Sequence, residues 1–150
     1  MIESDISVRQ VPYGSQDYLL CVALRQKILR DPLGIQLTPE EHLADREQVH
    51  LLARFRGQFA GTTVIHQVSG QPKTLFLRQV AVDEGFQGKG IGNQLIAYCE
   101  DYAIRYGFET IKLHSRVTAM PFYLKLGYQT EGEEYIEVTV PHITMFKHFS

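Results

Sequence analysis

Apolar residues along the chain alternate between the two-residue period of β-strands and the wider period of helices. Short apolar runs bounded by turn residues predict strands at residues 6–11, 49–55, 59–68, 74–82, 110–114, 128–138 and 142–149. Helical spacing and capping signals predict helices at residues 15–30, 39–45, 91–106 and 118–126. This order predicts a mixed α/β (α+β) fold built as one domain over residues 1–150.

A glycine-rich turn separates the strand at 74–82 from the helix at 91–106. The next strand completes a βαβ unit, so the two strands of that unit should run parallel. Gly88, Gly90 and Gly92 let the backbone approach a ligand and adopt conformations that other residues avoid. Because the following helix directs its N–H groups and positive dipole end at the turn, the segment predicts an anion site suited to phosphate.

Two common phosphate motifs do not fit this loop. A nucleotide P-loop needs a Ser or Thr after its lysine, but Gly90 follows Lys89. A dinucleotide loop needs a third glycine where Asn93 stands. The spacing that fits is Gln-x-x-Gly-x-Gly, starting at Gln87; the alternative is a tight turn that binds nothing.

The composition narrows the class of partner. A formal net charge of −2 lacks the basic surface of a nucleic-acid binder. No apolar run approaches the ~20 residues that span a bilayer, and the first five residues do not resemble a leader. We therefore expect a cytoplasmic protein without nucleic-acid or membrane partners. The cysteines and histidines lack metal-ligand spacing, so we expect no metal.

Two motifs resemble the GCN5-related N-acetyltransferase (GNAT) superfamily. Its strand, [QR]-x-x-G-x-[GA] loop and helix match residues 87–92, and its A-x-x-F-Y-x-x-x-G-[FY] motif matches residues 119–128. The order of elements is also that of the superfamily. The segments at 113–116 and 141–145 are similar to ElaA- and YjcF-type bacterial acetyltransferases. The resemblance implies the acyl-CoA N-acyltransferase fold, with a mixed, mostly antiparallel sheet around the βαβ unit.

The resemblance also implies acetyl-CoA as the acyl donor. The pantetheine arm should pair with the backbone of one strand and the pyrophosphate should lie on the glycine loop. The implied cofactor-binding residues are Val80, Ala81, Val82, Gln87, Gly88, Lys89, Gly90, Ile91, Gly92 and Arg116. Arg116 replaces an Asn that many members carry, and it could contact either the cofactor or the acceptor.

Three residues are candidate catalytic groups. Tyr123 matches the family tyrosine near the cofactor sulfur and is the candidate acid, with a packing role as the alternative. His142 is the candidate base, because a histidine that ionises near neutral pH suits removal of an amine proton, and Glu137 could orient that histidine or bind the charge of the amine. The alternative for His142 is packing or capping within a strand.

Three further residues are candidates for binding the acceptor. Arg25, with Arg30, could hold a carboxylate or phosphate of the acceptor, although a solvated helix face is the commoner fate of arginine. His114 is a third candidate base or acceptor contact; its alternative is a solvent-facing sheet position.

The resemblance implies transfer of an acetyl group to a primary amine, which we expect to belong to a small molecule. One alternative is a regulatory module that binds acyl-CoA without turnover, although such a module has no need of an acid at Tyr123. A protein N-acetyltransferase is another alternative. A homodimer is a candidate assembly, since the superfamily often dimerises.

Overall fold

The computed structural model describes residues 5–149. Four of the first five residues, which we expected not to form a leader, and residue 150 lie outside the described residues. The strands are β1 (Ile6–Val11), β2 (Val49–Phe55), β3 (Gln58–His66), β4 (Thr74–Val82), β5 (Thr110–Arg116), β6 (Gln129–Glu137) and β7 (Val140–His148). The helices are α1 (Gln16–Leu29), α2 (Pro39–Ala44), α3 (Ile91–Arg105) and α4 (Met120–Lys125). The predicted order of strands and helices is confirmed.

The strands form one seven-stranded sheet in the order β1-β2-β3-β4-β5-β7-β6. Neighbouring strands are antiparallel except β4 and β5, which run parallel as the βαβ unit requires. The predicted mixed and mostly antiparallel α+β sheet is therefore confirmed.

Polar side chains at the predicted positions begin the first two helices. Ser15 accepts a hydrogen bond from the backbone N–H of Tyr18 at 3.1 Å, at the start of α1. Thr38 and Glu41 form a reciprocal capping box at the start of α2, with Pro39 as its first residue. These caps satisfy N–H groups that have no partner inside the helix.

Helices cover both faces of the sheet. On one face, α3 buries Leu95 and Cys99 against strand residues such as Leu51. On the other face, α1 buries Cys21 against Leu52. Because successive strand residues point to opposite faces, Leu51 and Leu52 divide the core into two layers. Each layer excludes water from one face of β2.

The C-terminal part of the sheet differs from the predicted strand limits. β5 continues to Arg116, two residues beyond the predicted end, and β7 begins at Val140 rather than at His142. The β6–β7 hairpin closes through Val138 and Thr139, whose φ angles are 49° and 65°. Such a two-residue turn matches the twist of a hairpin, so the loop predicted at Pro141 is part of a strand.

Gly61 should be intolerant of even one added methyl group. A Cβ atom there would lie 2.8 Å from Cγ2 of Ile91 and 3.2 Å from the carbonyl oxygen of Ala81, which is backbone and cannot rotate away. We expect Gly61→Ala to lower the free energy of unfolding by about 1–3 kcal/mol, measured by urea denaturation. Gly85→Ala is the control, because its added Cβ meets no atom within 4 Å. If both variants unfolded at the same urea concentration, the close packing of α3 on β3 would be contradicted.

Candidate active site

A cavity of about 670 Å³ opens where β4 and β5 separate. The pairing between these strands ends at Leu77 and Leu113, and both residues line the cavity. The ends of α1 and α2, the start of α4 and the β6–β7 turn form its other walls. Six predicted site residues line it: Val80, His114, Arg116, Tyr123, Glu137 and His142.

A bulge in β4 begins this separation. Thr62 and Val64 of β3 pair with Ala81 and Arg78 of β4, so β4 has one extra residue over this stretch. Gln79 in the bulge has a φ of 54°. A bulge bends its strand and increases the local twist. After the bulge, Ala81 and Val82 stay paired with β3, whereas the other edge of residues 80–82 is not paired with β5.

The glycine loop leads from β4 into α3. Gly88 and Gly90 have φ angles of 79° and 87°, a region that favours glycine. Gly90 immediately precedes α3, whose first turn has no side-chain cap within the described residues. Gln87 donates a hydrogen bond to the carbonyl of Val82 at 3.1 Å and so ties the loop to β4. The uncapped N–H groups at the start of α3 can receive an anion.

The two sequence motifs meet in space. A Cβ atom at Gly92, in the first turn of α3, would lie 3.2 Å from Cζ of Phe122 in α4. Phe122 in turn contacts Tyr123, with ring centroids 5.0 Å apart. The exposed Lys89 places its ammonium 5.3 Å from the centroid of the Phe55 ring, beside the loop. The glycine loop is therefore connected to Tyr123 through a direct packing contact.

Tyr123 is buried and its phenol is held in its neutral form. Burial raises the pKa of the Tyr123 phenol well above its usual value, and the nearby Cys99 thiol raises it further. Its ring also packs edge-on against Tyr128, with centroids 5.8 Å apart. Tyr123 also lines the cavity, so a neutral phenol lies next to the space in which a ligand would bind.

Glu137 lies between two histidines. One carboxylate oxygen is 3.0 Å from Nδ1 of His114, and the other is 3.7 Å from Nε2 of His142. Nδ1 of His142 lies 2.9 Å from the carbonyl oxygen of Val140, which assigns the proton to Nδ1 because a carbonyl only accepts. Nε2 of His142 is then the basic nitrogen. His142 is buried, whereas the His114 side chain is 47% exposed.

Tyr135 is a cavity neighbour that the sequence analysis missed. It is paired with His142 across the β6–β7 ladder, and the two ring centroids are 6.1 Å apart. Its ring also meets that of His114 at 5.8 Å. Tyr135 is two residues before Glu137 on the same strand, so the period-two rule places both on one face. This two-residue spacing from Glu137 could have identified Tyr135 from the sequence.

A buried carboxylate supports the part of the cavity wall formed by α1, α2 and β4. Asp45 is fully buried and accepts hydrogen bonds from Arg25 at 3.0 and 3.2 Å, from Arg78 at 2.7 Å and from Tyr18 at 2.6 Å. Burial alone would raise the pKa of Asp45, but the hydrogen bonds of Arg25 and Tyr18 and the charges of Arg25 and Arg78 hold that pKa below its usual value. Asp45 therefore stays ionised at neutral pH.

The position of Arg25 corrects the expectation of a direct contact with the acceptor. Its side chain is completely buried, does not line the cavity and bonds Asp45 and Gln79 instead. A guanidinium with these partners has no surface for a second ligand. Gln79 continues the network to Glu41 at 2.6 Å, and Glu41 pairs with Arg30 at 2.8 Å. The sequence analysis did not identify Asp45, Glu41, Arg78 or Gln79 as members of this wall.

Comparison with known proteins identifies the class. The family model described as "Acetyltransferase (GNAT) family" matches residues 21–128, so the chain belongs to the GNAT family and is an acetyltransferase. An acetyltransferase candidate of Bacillus subtilis (strain 168) is 30% identical over 137 residues, 89% of this chain and 91% of that protein. The resemblance drawn from the two motifs is thereby confirmed.

Solved structures share the fold over nearly the whole chain. Escherichia coli ElaA superposes with a TM-score of 0.75 at 18% identity, over 95% of this chain and 99% of ElaA. A GNAT family acetyltransferase from Elizabethkingia anophelis, solved with acetyl-CoA bound, gives a TM-score of 0.73 at 18% identity, over 98% and 100% of the two chains. At these identities the likeness establishes the acyl-CoA N-acyltransferase fold.

Two features are absent from residues 5–149. The described side chains include no group of three or more His, Cys, Asp or Glu residues that could hold a metal ion. In the same range, each helix is too short or too polar to cross a bilayer.

Removal of the Asp45 charge should destabilise the fold, because Arg25 would keep a buried charge without a partner. We expect Asp45→Asn to lower the free energy of unfolding by about 3–5 kcal/mol, measured by urea denaturation at neutral pH. Asp101→Asn, at an exposed position of α3, is the control and should change it by less than about 0.5 kcal/mol. An equally small effect at Asp45 would show that the network does not stabilise the fold.

Proposed function

We propose that this acetyltransferase moves the acetyl group of acetyl-CoA to a primary amine of a small molecule, with Tyr123 as the acid and His142, beside the Glu137 carboxylate, as the base. One observation carries the proposal: the Tyr123 phenol and the Glu137–His142 pair line the same cavity, at the point where β4 and β5 separate. An acid and a base that line one cavity suit a reaction in which one atom loses a proton and another gains one.

The chain has the features that acetyl-CoA requires. The uncapped start of α3 and the open space above Gly88 fit a pyrophosphate, because N–H groups and the helix dipole attract anions. The unpaired edge of residues 80–82 fits the amides of a pantetheine arm, which would pair as an added strand. The Elizabethkingia anophelis relative was solved with acetyl-CoA, and a Bacillus subtilis acetyltransferase with CoA.

Acetyl-CoA supplies the acetyl group as a thioester, and its sulfur needs a proton when the acyl group is transferred. Tyr123 holds such a proton at its hydroxyl, because burial raises the pKa of the phenol and keeps it neutral. The same burial disfavours a thiolate in this part of the cavity. Proton donation from Tyr123 releases the sulfur as a thiol and leaves the negative charge on the Tyr123 oxygen, which must regain a proton before the next turnover.

The amine must lose its proton before it can attack. His142 offers Nε2 as the acceptor, since its Nδ1–H donates to Val140. Glu137 contacts both His142 and the exposed His114, so the three side chains form a path from the buried cavity to solvent. In this proposal the proton leaves along that path. The cytoplasmic location and the homodimer expected from the sequence stay predictions.

Loss of the phenol should reduce turnover without unfolding the protein. We expect Tyr123→Phe to lower kcat by roughly 100-fold, since a positioned acid contributes about 10²–10⁴. The assay is thiol release from acetyl-CoA across a panel of amines, amino acids and polyamines. Tyr106→Phe, at a 61% exposed position after α3, is the matched control and should keep full activity. Tight acetyl-CoA binding without turnover on any acceptor would instead indicate a binding module or a protein acceptor.

The role of His142 predicts a dependence on pH. We expect His142→Gln to lower kcat/KM by about 10²-fold near pH 7, and the loss should shrink at higher pH because more of the amine is already deprotonated. His148→Gln, at an exposed position of the same strand, is the control. A loss of equal size at every pH would indicate a structural role for His142.

A further inference from the structure

Two arginines converge on the end of α1. Nη2 of Arg116 donates to the carbonyl oxygen of Leu29 at 2.7 Å, and Nη1 of Arg30 donates to the same oxygen at 3.3 Å. Both side chains line the cavity. Two positive charges therefore lie within a few ångströms of each other on one wall.

Only one of these charges is neutralised. Arg30 is paired with Glu41 at 2.8 Å. Arg116 has no carboxylate partner among the described residues, and its hydrogen bond to Leu29 uses one of five N–H donors. Burial lowers the pKa of Arg116, and the charge of Arg30 lowers it further. The arrangement is unfavourable as it stands and would be relieved by an anion.

Capping of α1 does not account for this pair. Cations do stabilise the C-terminus of a helix, but Arg30 already provides one at that position. Arg116 reaches the same carbonyl from β5 and lines the cavity, and this bond leaves four of its five N–H donors for a ligand. A planar guanidinium of this kind binds carboxylates or phosphates through two parallel hydrogen bonds.

The cofactor phosphates are a poor match for this position. The proposed pyrophosphate site is the glycine loop at residues 87–92, and none of those residues lines the cavity. Arg116 is instead paired directly with His142 across the β5–β7 ladder. Such partners have Cβ atoms about 4.5–5.5 Å apart. The unpaired cation and the proposed base therefore share one end of the cavity.

We infer that the acceptor is an amino carboxylate, a small molecule whose carboxylate binds Arg116 while its amine faces His142 and Glu137. The amine end of this inference rests on the proposed function; the carboxylate end can be tested without turnover. The short separation between Arg116 and His142 limits the acceptor to amino acids and similar molecules with few bonds between the two groups. The cavity volume of about 670 Å³ is in the usual range for a small-molecule site.

The kinetic test compares acids with their amides. Glycine, alanine, glutamate, methionine and phenylalanine are each assayed beside the corresponding amino-acid amide, with phosphoethanolamine as the phosphate-bearing amine. We expect wild-type kcat/KM to favour the acids. Arg116→Gln should raise the KM of the acids by about 10- to 100-fold and leave that of the amides and of acetyl-CoA unchanged.

Two further variants separate binding from folding. Arg116→Lys keeps the positive charge but loses the planar guanidinium that can bind a carboxylate through two hydrogen bonds. It should therefore retain part of the preference for acids that Arg116→Gln loses. Arg105→Gln removes an exposed arginine at the end of α3 and is the control. Equal rates for acids and amides, a similar loss on both in Arg116→Gln, a changed KM for acetyl-CoA, or a preference for phosphoethanolamine would each overturn the inference.

A binding measurement covers the case in which no amine is acetylated. The CoA-saturated protein is heated with each acid or amide, and the shift in melting temperature is recorded. Stabilisation by acids alone that disappears in Arg116→Gln supports the carboxylate site even though the proposed catalysis fails. If acids do not raise the melting temperature more than amides, the proposed carboxylate site on Arg116 is wrong. If amines are nevertheless acetylated in that case, the proposed acetyltransferase activity stands without the carboxylate contact.

Discussion

The active site depends on the point at which one pair of strands stops hydrogen bonding. β4 and β5 pair through Leu77 and Leu113 and no further, because the bulge at Gln79 keeps β4 with β3 while β5 continues beside β7. A sheet that stayed paired would have no cavity between these strands. The separation leaves backbone groups of β4 without partners from β5 and makes residues of both strands part of the wall of one open cavity.

The sequence predicted the features that depend on local patterns. Glycines at a strand-to-helix junction, capping residues and the two motifs placed the loop, α3 and Tyr123 correctly within the fold. Hairpin register was less accessible, since it depends on long-range pairing and on a turn of Val138 and Thr139, residues that rarely adopt positive φ. Tyr135 was missed because its position beside His142 follows from that register.

Buried charge was the other part of the site that the sequence could not show. Arginine is usually exposed, so no local signal distinguished Arg25, which is fully buried, from an ordinary surface position. Its burial depends on Asp45, twenty residues away in the chain, and on Gln79 in the β4 bulge. The network joins α1 and the turn after α2 to the strand that bends. The network therefore fixes α1 and the turn after α2 relative to the β4 bulge that opens the cavity.

The turn at the cavity rim has a consequence for the stability of the hairpin. Val138 and Thr139 are β-branched, and both hold left-handed backbone angles that asparagine and glycine adopt at lower cost. Conformations of this kind store about 1–3 kcal/mol each and persist only where surrounding structure imposes them. Glu137 immediately precedes this strained pair. The hairpin beside the proposed base therefore gives up stability that a common turn sequence would provide, as strained sites next to functional groups often do.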